Sequence, residues 1–189
     1  MKLTLSGPPR SGKSCFREGL KQALRVVPGA PYPFVITACP DGEGAWFQES
    51  VNRDEAVAAA CKAAYKGKFT PEYVDRVSTN VRDCVCPLTL VDIGGVPSDE
   101  NRRICASVSH ALILAGDPEK VAVWRDFWRE LGVPVVAEIH SDYHGQADTV
   151  EGFGPDGVWR GTVHHLERGE AVAERPCIRA FAQVVATMS

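Results

Sequence analysis

The sequence predicts an α/β fold built on a mainly parallel sheet, and three observations lead there. Short apolar runs alternate with helix-patterned segments along most of the 189 residues. One run, Leu88–Ile93, is nearly apolar throughout, as in a strand buried on both faces. The first strand-like segment passes through a glycine-bounded loop directly into a helix, which is how parallel α/β units begin.

The elements follow in order. Lys2–Ser6 reads as the first strand and Gly12–Val27 as its helix, with Pro28-Gly29-Ala30-Pro31 as a turn. Phe34–Ala38 is the second strand. An insert over about residues 48–86 holds an Ala-rich helix, Asp54–Tyr65. It also holds a helix entered by Thr70-Pro71-Glu72, where Thr caps and Pro suits the first helical position. Leu88–Ile93 is the third strand, and Ser98-Asp99-Glu100 opens a helix running to about Val108. Ala111–Ala115 is the fourth strand. Asp117–Leu131 is a helix whose Trp124, Phe127, Trp128 and Leu131 form one apolar stripe, read as core. Val133–Ile139 is the fifth strand. Thr149–Leu166, with Gly152, Gly154, Gly157 and Gly161, reads as a hairpin or flap, and Pro176–Met188 as a closing helix. The expectation is one domain spanning 1–189, with the flap and last helix occupying about 149–189.

Composition narrows the function. Net charge is −3 and the pI about 6.0, which argues against a bulk nucleic-acid binder. No apolar run approaches the ~18 residues of a membrane span, and the N-terminal stretch does not read as a signal peptide. The seven cysteines are odd in number, lack a C-x-x-C pair and sit mostly in apolar segments. They read as reduced thiols of a cytoplasmic protein.

Gly7-Pro8-Pro9-Arg10-Ser11-Gly12-Lys13-Ser14 matches G-x-x-x-x-G-K-[ST], in the strand–loop–helix setting that this phosphate-binding loop requires. Its glycines let backbone amides turn toward an anion, and the following helix points its positive end at the same place. The fold is therefore expected to be a P-loop NTPase three-layer sandwich. About five strands are expected, in the order 2-3-1-4-5, by analogy with P-loop kinases. Gly7, Pro8, Pro9, Arg10, Ser11, Gly12, Lys13, Ser14 and Cys15 are the candidate ATP-binding residues. Lys13 would neutralise the β- and γ-phosphates, and Ser14 would hold Mg²⁺. Leu88–Asp92 is an apolar strand ending in an acid, so Asp92 is the second candidate Mg²⁺ residue. Gly95, three residues on, allows a backbone amide near the γ-phosphate; the alternative is a tight turn. The sequence after the fourth strand, Gly116-Asp117-Pro118-Glu119, lacks the guanine-reading Asn-Lys-x-Asp, which favours ATP.

Candidate acceptor-side residues follow. Asp41 and Glu43, in Asp41-Gly42-Glu43-Gly44-Ala45-Trp46, could orient an acceptor hydroxyl, or the loop could be a solvated turn. Arg102 and Arg103 could grip the moving phosphoryl group or be surface charge. His140-Ser141-Asp142-Tyr143-His144 follows the fifth strand, where it could contact a base or acceptor; metal binding there lacks a completing ligand.

Several strings together carry a family resemblance: the Gly7–Ser14 loop, Pro40–Trp46, Val91–Gly95, Asn101–Cys105, Trp124-Arg125-x-Phe127 and Val136–Gly145. The chain resembles the P-loop (AAA-type) kinase domain associated with the ring nuclease of type III CRISPR systems. The resemblance covers about residues 1–148 and implies an ATP/Mg²⁺-dependent phosphotransferase, with Lys13, Ser14 and Asp92 as its ATP–Mg²⁺ residues. It implies a small acceptor, such as a nucleotide or a short oligoadenylate 5′-hydroxyl, and a ring nuclease as possible partner. Family members carry this domain behind the nuclease, whereas here the loop begins at residue 7. The alternatives are a nucleotide-gated regulatory ATPase, for which dimer-dependent hydrolysis would speak, and a metabolic cofactor-precursor kinase.

Overall fold

A computed structural model describes residues 1–40 and 69–189. The expected acceptor loop with Asp41, Glu43 and Trp46, and the expected helix Asp54–Tyr65, lie outside the described residues. The strands are β1 (Lys2–Ser6), β2 (Pro33–Thr37), β3 (Leu88–Asp92), β4 (His110–Ala115), β5 (Val135–Asp142), β6 (Thr149–Phe153) and β7 (Trp159–His164). The helices are α1 (Lys13–Leu24), α2 (Pro71–Asp83), α3 (Asp99–Ile104), α4 (Pro118–Leu131) and α5 (Pro176–Met188).

The strands form one sheet of seven in the order β2-β3-β1-β4-β5-β7-β6. The first five stand in the expected order, with every pairing among them parallel. The difference lies at the far edge. The expected flap is the hairpin β6–β7, and β7 pairs parallel with β5 from Ala137↔Trp159 to Asp142↔His164. The physical reason is the period-two pattern of Trp159, Gly161 and Val163, which puts apolar groups on the core side of the sheet. That partner also explains why β5 continues to Asp142, beyond the expected end at Ile139. The helix expected to reach Val108 is α-helical only to Ile104 and closes in a 3₁₀ turn, Cys105–Ser107.

Helices cover both faces. On one side α1 and α5 pack over Leu3, Leu5, Leu90 and Leu114, with Phe16, Leu20, Trp159 and Phe181 between them. On the other, α2, α3 and α4 cover Val91, Ile113 and Ala115 through Val74, Val77, Ile104, Trp124, Phe127 and Trp128. The Trp124–Trp128 stripe is core, as expected, with Trp128 fully buried. Helix entries follow the sequence signals. Thr70 Oγ1 accepts from Tyr73 N at 3.2 Å, Ser98 Oγ from Asn101 N at 3.3 Å, and Asp117 Oδ1 from Glu119 N at 2.9 Å. Among the described residues no helix is long and apolar enough to cross a membrane.

Candidate functional site

The loop from Gly7 to Gly12 rises from the carboxyl end of the central strand β1 and enters α1. Its backbone conformations are unusual. Gly7 has φ 142°, Arg10 φ 63° and Gly12 φ 82°. A left-handed non-glycine residue such as Arg10 costs about 1 kcal/mol, and strain of this kind gathers at binding loops. The glycines are also required by space. A Cβ on Gly7 would fall 1.9 Å from Leu114 O, and one on Gly12 2.7 Å from Leu166 Cδ1. A Cβ on Gly95 would fall 2.6 Å from Pro9 N, so the loop after β3 lies against the phosphate-loop backbone.

The first turn of α1 is electrostatically suited to an anion. Gly12 offers no side-chain cap, and no acidic residue occupies the turn. Amides of a first helical turn have no partner within the helix, and the helix dipole adds positive potential there. Lys13 Nζ lies over the loop, donating to Gly7 O at 2.9 Å and Pro8 O at 2.8 Å. A cleft of about 280 Å³ is lined by Arg10, Ser11, Gly12, Lys13, Ser14 and Cys15, closed by Leu166 and Arg168. The buried Ser11 hydroxyl has no hydrogen-bond partner among the described residues. An unmatched donor beside three cationic side chains suits a polyanion.

Ser14 and Asp92 meet at the floor of this region. Ser14 Oγ donates to Asp92 Oδ2 at 3.3 Å, and Asp92 is almost fully buried at the end of β3. A hydroxyl and a carboxylate offer hard oxygen donors, the set Mg²⁺ takes when it is shared with phosphate oxygens. The residues present therefore fit Mg²⁺.

Two features were not singled out in the sequence. Arg17, one turn after Ser14, is fully buried and donates from Nη1 to Asp92 Oδ2 at 3.1 Å. The available signal was its position, four residues after Lys13 on a helix that buries Phe16 and Leu20. The second is the segment between β7 and α5, which lays Leu166 on Gly12 and Val172 on Gly19. It is tied down by Arg175, which bonds His164 O and Glu170, and by Tyr143 Oη donating to Glu167. The Glu167 carboxylate pushes the Tyr143 phenol above its ordinary value, keeping it a donor. No local sequence signal marks Leu166 or Arg168, because their role depends on where β7 docks.

The other expected residues are placed as follows. Arg102 pairs with Glu130 and Asp99 and lies over the Phe127 ring at 5.1 Å. Arg103 pairs with Asp75. Neither lines the cleft, because α3 packs toward α2 and α4. Asp142 Oδ1 accepts from His144 N at 3.1 Å, forming a local turn. Arg125 and Arg160 both pair with Glu138 beside a second cavity, of about 230 Å³, that His140 also lines.

No family model matches this chain, and no curated protein matches it in sequence. Among solved structures, a plasmid partition protein (BB_S35) from Borrelia burgdorferi B31, bound to AMPPNP, has a similar fold. The TM-score is 0.51 at 9% identity over 77% of each chain. The fold is that of the P-loop NTPases. In P-loop NTPases the carboxyl ends of the central strands form the ligand-facing edge, and here that edge carries the Gly7–Ser14 loop and Asp92.

Proposed function

We propose that this protein binds ATP with Mg²⁺ and transfers the γ-phosphoryl group to the hydroxyl of a small acceptor. The observation that carries this reading is the meeting of Lys13, the positive N-terminal end of α1 and the Ser14–Asp92 contact of 3.3 Å at one end of the sheet. The partition protein of similar fold was bound to AMPPNP, which supports an adenine nucleotide as ligand.

In this reading the loop amides and Lys13 hold the β- and γ-phosphates and stabilise charge as the β–γ bridging bond breaks. Ser14 and Asp92 hold Mg²⁺, which supplies further charge neutralisation to the phosphates. Arg10 and Arg168 face the same cleft and limit repulsion among phosphate oxygens. A new P–O bond forms to the acceptor oxygen, which Asp41 or Glu43 would orient; its proton passes to solvent, with ADP as leaving group. The sequence resemblance supports a nucleotide or short 5′-hydroxyl oligoadenylate as acceptor and a ring nuclease as partner.

A second reading is a nucleotide-gated regulatory ATPase that signals to a partner or a second copy. One observation favours it: Arg102 and Arg103 are engaged with acidic residues of other elements.

The test is label transfer from γ-labelled ATP with Mg²⁺, with and without short 5′-hydroxyl oligoadenylates. Wild type is expected to label the oligonucleotide, and Lys13→Ala to reduce transfer by about 10²-fold or more. Free phosphate alone, released at a rate indifferent to acceptor, would favour the regulatory reading. Equal transfer by Lys13→Ala would remove the proposed site.

A further inference from the structure

The buried guanidinium of Arg17 asks for an explanation that packing does not provide. Its side chain is 0% exposed and Asp92's is 6%. Nη1 donates to Asp92 Oδ2 at 3.1 Å, the same oxygen that accepts from Ser14 Oγ. Nε and Nη2 have no hydrogen-bond partner among the described residues, and Nη2 stands 3.8 Å from Glu18 Oε2. Burying a cation with orphaned donors is costly, and an apolar side chain of similar volume commonly serves stability as well or better. Arg17 nevertheless sits where the hydroxyl and the carboxylate meet. The site's own charges are then Asp92, negative, against Arg17, Lys13, Arg10 and Arg168, all positive, with Glu18 at the edge paired to Lys21 at 3.3 Å.

We infer that Arg17 is a positioning residue that makes metal loading at Ser14 and Asp92 conditional on bound nucleotide. This rests on the nucleotide-binding reading of the same site. Its guanidinium fixes the Asp92 carboxylate and cancels its charge. A dication alone therefore meets a hydroxyl, a neutralised carboxylate and the Lys13 ammonium. Triphosphate oxygens reverse that balance, so the cation is held together with the nucleotide and not ahead of it. The protein is thereby kept from filling its phosphate loop with a bare cation, which would otherwise be attracted to an isolated buried carboxylate.

The test uses Mn²⁺ as probe, with free Mn²⁺ read by electron paramagnetic resonance on the full chain. Fluorescent-ATP binding in EDTA is measured in parallel. Wild type is expected to bind Mn²⁺ only when nucleotide is present. Arg17→Met, which removes the charge, is expected to gain nucleotide-free Mn²⁺ binding, roughly tenfold or more tighter than the weakest binding the assay detects in wild type. Arg17→Lys, which keeps the charge, should behave as wild type, and adding Asp92→Asn to Arg17→Met should abolish the gain. Arg17→Gln keeps a donor without the charge, and it serves in the same comparison if Arg17→Met does not fold. Nucleotide-free Mn²⁺ binding by wild type that Asp92→Asn removes overturns the inference. So does equal Mn²⁺ affinity in wild type and the neutral variants. If wild type binds fluorescent ATP while either result is obtained, only this inference falls. If it binds none, the nucleotide-binding reading falls with it.

Discussion

Cysteine chemistry shows how residue environment separates side chains of one type. Burial pushes the Cys105 thiol up to about 12, partly offset by the Thr4 hydroxyl. Burial, helped by Asp148 and Glu151, does the same at Cys177, also to about 12. At Cys84 burial also acts upward, but hydrogen bonds from Thr89 and Cys86 outweigh it, and the thiol ends below its ordinary value. The thiolate is the reactive form, so at pH 8 a thiol with pKa near 12 is ionised in only ~1 molecule in 10⁴. Alkylation of the native protein at pH 8, followed by mass spectrometry, should modify Cys84 and leave Cys105 and Cys177 intact until denaturant is added. Modification of Cys105 ahead of Cys84 would contradict the packing described. At this scale the sequence was informative about placement: Lys13, Ser14 and Asp92, singled out by type and spacing, lie together at one end of the sheet. It was silent about Arg17, because a lone arginine in a helix normally reads as a solvated charge. It left Arg102 and Arg103 open between a phosphate grip and surface charge, because their partners, Glu130 and Asp75, lie far along the chain.

Among the elements, α4 does more than cover the sheet. Its Trp128 Nε1 donates to Ser6 Oγ at 2.9 Å, and Ser6 Oγ donates on to Leu112 O at 2.7 Å. This relay fixes the last residue of β1, the one immediately before the phosphate loop, to both β4 and α4. Trp128→Phe removes a buried hydrogen bond and leaves a void. It should cost about 2–3 kcal/mol and lower Tm by roughly 4–10 °C, measured by thermal unfolding. An unchanged Tm would mean the relay does not hold the loop's entry. Elements with a strong local signature were legible: the capped entries at Thr70, Ser98 and Asp117, and the apolar run of β3. The docking of β7 beside β5 was not, because a hairpin's own residues specify its turn but not which edge of a sheet it joins.

At the scale of the whole molecule, the parallel order β2-β3-β1-β4-β5 brings the Gly7–Ser14 loop and Asp92 to one end, though they are separated by most of the first half of the chain. The added pair β7–β6 then returns the chain so that Leu166 and Arg168 close the cleft from the side opposite β3 in the strand order. The fold class could be read from the alternation of elements. The closing segment could not, since it depends on the completed sheet. In the proposed function this cleft binds a nucleoside triphosphate through Lys13 and the positive N-terminal end of α1. Isothermal titration of ATP with Mg²⁺ into the wild-type chain and into Lys13→Ala decides it. One ATP should bind per wild-type chain, and affinity should weaken about tenfold or more in Lys13→Ala, with far-UV circular dichroism unchanged. Absence of binding by folded wild type, or equal binding by the two proteins, would contradict it.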